Sequence, residues 1–135
     1  MDMRLGCIGL FVTDMSKMVR FYRDVMGMNG DWDGGAFAEL NAGGVRLIFY
    51  GRVDFERMTK RTFLYPKGLN GTMELAFELP GRSDVDREFA RLTQAGAVAV
   101  MAPADMPWGQ RTSYVADPEG NLIELGSFEK PEASE

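Results

Sequence analysis

The chain has 135 residues, 45% of them hydrophobic, which suits one compact domain or two small modules sharing a core. Its net charge of -5 provides no overall positive field for a phosphate backbone or an anionic membrane surface, so neither nucleic acid nor membrane is expected as a partner. It contains no histidine, which removes the commonest metal ligand and the commonest general base at neutral pH. No apolar run approaches the roughly 20 residues that span a bilayer. The opening MDMRLGCIGLFV lacks a secretory cleavage pattern, and the single cysteine, Cys7, has no intrachain partner for a disulfide. A cytoplasmic setting is therefore expected, with Cys7 as a small core hydrophobe.

Residues Gly6 to Val12 are apolar and β-prone. Asp14 then offers an N-cap to a helix in which Met15, Met18, Val19, Tyr22, Val25 and Met26 recur at helical spacing, and Gly27 stops it. From Met28 to Tyr50 the pattern breaks into three expected short strands, punctuated by Asp33-Gly34-Gly35 and Asn41-Ala42-Gly43-Gly44. The following stretch carries Arg52, Arg57, Lys60, Arg61 and Lys67 against Asp54 and Glu56, and reads as a solvated basic linker with at most one helical turn, or else as a lid or anion-steering loop.

The second half repeats the order. Thr72 to Glu78 reads as a strand, Ser83 to Asp86 has capping-box spacing, and Val85, Phe89, Leu92 and Gly96 line one helical stripe. Strands are expected at Val98 to Pro103, Arg111 to Ala116 and Leu122 to Ser127, the last two joined by the turn sequence Asp117-Pro118-Glu119-Gly120-Asn121, in which Gly120 or Asn121 takes the positive φ. The fold class is therefore α+β, a βαβββ unit used twice. The expected divisions are a first module at 1–51, the basic linker at 52–70, a second module at 71–128 and a frayed acidic tail at 129–135.

The segments FYRDVMGM and PWGQRTSYVADPEGNLIEL, with the doubled order of elements, resemble the vicinal-oxygen-chelate superfamily of glyoxalases, bleomycin-resistance proteins and extradiol dioxygenases. The resemblance implies two modules whose mixed sheets curl into half-barrels with helices outside, a cavity for metal, substrate or drug, and homodimers that in some members build each site from two chains. It also implies metal-ligand positions in the family's enzymes, which match here to Cys7, to Leu47 or Ile48, to Glu74 and to Glu124. Where those enzymes carry His or Gln, Glu, His and Glu, this chain carries Cys, an aliphatic residue, Glu and Glu.

Extradiol cleavage needs an iron site with imidazoles and is excluded by composition. No cofactor is expected, although Glu74, Glu124 and water would weakly hold a hard divalent cation. Strand alternation puts Glu74 and Glu124 on inward faces, where a carboxylate must find a partner or titrate upward, with a ligand, Arg46, Arg111 or Tyr114 as candidates. Trp108, in Pro107-Trp108-Gly109-Gln110, matches a tryptophan beside the drug in bleomycin-resistance proteins, and otherwise plugs the mouth of a half-barrel. The first expectation is a metal-free, non-catalytic binder of a small drug or metabolite, lined by Trp108, Glu74, Glu124, Arg111, Phe49 and Trp32, with the acidic balance favouring a cationic guest. The alternatives are a lyase or isomerase acting next to a carbonyl with Glu74 or Glu124 as base, and a homodimeric regulatory or scaffold module.

Overall fold

The computed structural model describes residues 1–132 and divides into two compact units, Met1–Tyr65 and a second that begins at Pro66. The expected tail therefore lies partly outside the described residues; 128–132 form no helix or strand.

The first unit opens with β1 (Ile8–Val12), whose alternate residues Leu10 and Val12 are buried. Asp14 caps the next helix, α1 (Met15–Arg20), by accepting the Lys17 amide at 3.0 Å on its carboxylate. The chain then widens into a π-helical turn, Phe21–Val25, in which the Met26 amide reaches back five residues to the Phe21 carbonyl. Of the predicted stripe, Met18, Val19 and Tyr22 are buried and Met15, Val25 and Met26 half-buried; Phe21, outside that stripe, is buried as well.

Two strands follow, β2 (Phe37–Ala42) and β3 (Val45–Gly51), giving a sheet of order β1-β3-β2 with β1 parallel and β2 antiparallel to β3. Of the three strands expected after the helix, the first is reduced to a single bridge between Asn29 and Asn41. Polar turn chemistry takes the rest of that segment out of the ladder: Asp33 accepts the Gly35 amide at 2.8 Å, and the Trp32 indole donates to the Gly35 carbonyl at 2.8 Å. Gly30 passes so near the Glu39 carbonyl that any Cβ would collide with it.

The stretch expected as a solvated linker begins instead as α2 (Arg52–Thr59), which packs against β3 and β1. It has no buried residue and no continuous apolar stripe, so sequence periodicity misses it. What holds it is aromatic: Phe55 stacks on Phe11 at 4.0 Å between ring centroids and lies 6.2 Å from Tyr50 and 5.3 Å from Phe63. Arg52 donates to the Phe11 carbonyl at 3.0 Å and sits 4.3 Å over the Tyr65 ring.

The second unit has the complete βαβββ order: β4 (Asn70–Glu78), α3 (Arg82–Gln94), β5 (Val98–Asp105), β6 (Arg111–Ala116) and β7 (Asn121–Ser127). Its sheet order is β4-β7-β6-β5, so here too the first strand lies parallel to the last. The N-terminal box of α3 sits two residues before the expected one, since Asp84, not Asp86, accepts the Gly81 amide, at 2.9 Å. That frees Asp86 to work elsewhere. Val85 and Leu92 on α3 are buried, as are Val115, Ile123 and Leu125 on the sheet.

The turn between β6 and β7 is organised by buried Asp117, whose carboxylate accepts the amides of Glu119 and Asn121 at 2.9 and 3.0 Å and the Asn121 side-chain amide at 2.9 Å. Gly120 takes the positive φ, +90°, and leaves space that the Gly68 carbonyl occupies. Both sheets are mixed and open, in an α+β fold. Among the described residues no helix is long and apolar enough to cross a membrane.

Candidate functional site

The hairpin register fixes which side chains share a face. Counting outward from the Asp117–Asn121 turn, Ala116 pairs with Leu122, Tyr114 with Glu124 and Thr112 with Gly126. Helix α3 packs on the opposite side, where Ile123 and Leu125 are buried. Glu124 therefore points away from α3, and so does Glu74, whose neighbour Ala76 pairs with Glu124 across the β4–β7 ladder.

Glu124 on this face is bonded to a phenol. The Tyr114 hydroxyl donates to Glu124 Oε2 at 3.1 Å, and Thr112 Oγ1 donates to the same oxygen at 2.9 Å. Among the described residues no donor reaches Glu124 Oε1. Burial first, then hydrogen bonding with Glu74 and Glu124, pushes the Tyr114 phenol well above the ordinary tyrosine range. Further along the face, Gln110 is buried over Gly126 and accepts the Trp108 indole N–H at 2.8 Å. Thr112, Glu124, Tyr114 and Glu74 thus share one face of the second sheet, with Gln110 lying over it and Trp108, in the turn before β6, held to it through Gln110.

Other expected site residues lie elsewhere. Phe49 is fully buried and packs its ring 5.4 Å from that of Tyr22, because Leu47, Phe49 and Gly51 are the positions of β3 that face the core. It is a core residue. Arg111 turns toward α3: Nε and Nη2 donate to Asp86 on that helix at 2.8 and 2.7 Å, and Nη1 donates to Asp105 at 3.0 Å. It ties β6 to the helix. Trp32 is half-buried and pinned within its own loop of the first unit.

At the positions matched to metal ligands, Cys7 is half-buried just ahead of β1, Leu47 is buried in the core, and Ile48 lies across from Gly9 on the other face of the sheet. Arg46 makes a two-pronged pair with Glu39 of its own sheet at 3.1 and 2.6 Å. Among the described residues no group of three or more Cys, Asp or Glu side chains is placed to hold a metal ion. In the first unit Glu56, Lys60, Arg61 and Thr62 line a shallow depression of about 520 Å³.

Thr112 and Gln110 carry the network although sequence alone does not single them out, and Tyr114 stands there only as a structural partner. The signal was present in the hairpin: with the turn fixed at Asp117–Asn121, equal steps outward along both strands pair Tyr114 with Glu124.

The sequence model of the glyoxalase/bleomycin resistance protein/dioxygenase superfamily matches residues 4–125. The uncharacterized protein YraH of Bacillus subtilis is 30% identical over 127 residues, covering 91% of this chain and 97% of its own. A glyoxalase/bleomycin resistance protein/dioxygenase from Nocardioides superposes with a TM-score of 0.77 at 26% identity, over 100% of this chain and 93% of that one. A family enzyme from Burkholderia phytofirmans has the same fold, with a TM-score of 0.80 at 22% identity over 91% and 97% of the two chains. The chain belongs to the glyoxalase/bleomycin resistance protein/dioxygenase superfamily.

Proposed function

We propose that the protein binds a small planar cation, a drug or a metabolite, without a metal ion and without turning it over, on the face of the second sheet that carries Trp108, Tyr114, Glu74 and Glu124. The observation that carries this reading is the Glu124 carboxylate bonded to the Tyr114 phenol, with Glu74 on the same face of the sheet and an exposed tryptophan held to that face through Gln110. The carboxylates supply charge for a cation and the indole supplies a flat surface for a ring. Metal-dependent chemistry lacks a fitting donor set: the matched positions offer one thiol, aliphatic side chains and two carboxylates, and Glu124 already spends one oxygen on two hydroxyls.

The test is calorimetric titration of chelator-treated protein with N-methylacridinium and with a bleomycin-type glycopeptide. Micromolar binding is expected for one or both. Glu124→Gln should weaken it by about tenfold to a hundredfold, the equivalent of ~1.5–3 kcal/mol for a charge-assisted contact. Failure of every planar cation in the micromolar range overturns the reading.

One observation supports a catalytic alternative, a lyase or isomerase acting beside a carbonyl. Glu124 Oε1 receives no hydrogen bond from the described residues, so it is open to take a proton from carbon, while the adjacent Tyr114 phenol holds its own proton firmly. In that case the Glu74→Gln, Glu124→Gln double variant loses turnover of a carbonyl substrate; unchanged turnover removes both residues from the mechanism.

A further inference from the structure

We infer that Gln110 locks the Trp108 indole through its N–H, and so selects guests that lie face-on against the ring and bring no hydrogen-bond acceptor to its edge. The inference rests on the binding role proposed for this face.

The turn that carries Trp108 is closed at both ends, by the Met106 amide on the Gln110 carbonyl at 2.7 Å and by the Gly109 amide on the Met106 carbonyl at 3.0 Å. Gly109 takes a φ of +89°, which a side chain would resist. The backbone under the indole is therefore fixed before any ligand arrives. The side chain is fixed too, because an indole has one polar group, a donor, and Gln110 Oε1 takes it. Since a donor demands an oxygen, this contact also settles which end of the amide faces the ring.

The pairing is unusual in its burial. Gln110 is 6% exposed whereas Trp108 is 64% exposed, so a buried amide is spent on a ring that water could have satisfied. The amide has room because position 126 is glycine: a Cβ there would lie 2.5 Å from Gln110 Nε2 and 3.4 Å from Thr112 Oγ1. Gly126 therefore clears the ground on which Gln110 lies, and Thr112 links that ground to Glu124. With its N–H committed, the indole has only its π face to offer, which attracts cations and apolar rings and gives nothing to an acceptor. Pre-ordering the ring also lowers the entropy lost on binding. Gln110 is thus a positioning residue that sets specificity through Trp108.

The experiment follows the Trp108 indole N–H by heteronuclear NMR in the ligand-free protein, with Trp32→Phe assigning the two indole signals. Exchange with solvent should accelerate at least about tenfold in Gln110→Leu and in Gly126→Ala, and remain slow in Gln110→Glu, which keeps an acceptor oxygen. The same variants are titrated with N-methylacridinium, a cation without an acceptor, and with acridine N-oxide, a neutral acceptor on the same rings. The wild-type preference for the cation should fall about tenfold in Gln110→Leu, where the N–H is free to meet the oxide. Equal indole exchange in wild type and Gln110→Leu overturns the lock, whatever binds. An unchanged preference overturns the selection. Slow exchange in a wild type that binds neither probe leaves the lock standing and removes the binding role on which the selection rests.

Discussion

Replacing Arg111 by Met should weaken the second unit while leaving ligand binding intact. The guanidinium makes two bonds to Asp86, at 2.8 and 2.7 Å, and one to Asp105 at 3.0 Å, so its loss unties β6 from α3. Both acids are well exposed, with side-chain exposures of 47% and 65%, so water screens the pairs and each carboxylate contributes at the modest end, ~0.5–1 kcal/mol. Met keeps the packing of the side-chain stem. The summed loss of ~1–2 kcal/mol corresponds to a fall in Tm of roughly 3–8 °C for a chain of this size. Hydrogen bonding from Arg111 is the main reason that the Asp86 carboxyl sits below its usual range, with burial opposing it. A depressed carboxyl stabilises the fold above its unfolded value, near ~3.9, and that contribution is lost as pH falls through the lower folded value. Thermal melts followed by circular dichroism should therefore show the full difference between wild type and variant at about pH 7, shrinking below about pH 4. An unchanged Tm together with weakened ligand binding would refute this reasoning and return Arg111 to the ligand site.

Gly120→Ala should cost ~2–4 kcal/mol in urea unfolding, because φ is +90° there and the new Cβ would meet the Gly68 carbonyl. Phe49→Ala should cost ~3–5 kcal/mol as a cavity under α1, yet leave the affinity of the remaining folded protein for N-methylacridinium unaltered; a selective loss of affinity would place Phe49 in the site after all. In an alkaline absorbance titration, Tyr114→Phe should remove one late-ionising phenol. Because its folded value is raised, the stabilisation linked to Tyr114 is present below about pH 10 and is lost as pH climbs beyond it.

What the sequence reveals and what it hides follow from how local each feature is. The Asp14 cap, the buried stripe of α1 and the Asp117–Asn121 turn are written within a few residues of each other, and all are legible. Glu74 and Glu124 sit on one face because strand alternation is strict and each interrupts an apolar run. The burial of Phe49 is not legible because Leu47, Ile48, Phe49 and Tyr50 are apolar or aromatic without a break, so alternation cannot tell the core side from the other. The helix α2 escapes notice because aromatic contacts from Phe11, Tyr50 and Phe63 hold it, and no periodicity within residues 52–59 announces them. The expected strand after the first helix fails because the Asp33 and Trp32 side chains satisfy the Gly35 backbone locally, which competes with a ladder. The Gln110 amide that takes the Trp108 N–H lies over Gly126 of a neighbouring strand, so its place on the sheet emerges only once the register is known.

The most direct test of the account is calorimetric titration of untagged, chelator-treated protein with N-methylacridinium, beside the Glu74→Gln, Glu124→Gln double variant and beside protein supplied with nickel, manganese or magnesium after elemental analysis. Micromolar binding without metal is expected, lost in the double variant and unchanged by added cations. Stoichiometric metal in the purified protein, with binding or turnover that appears only when the metal is present, would contradict it.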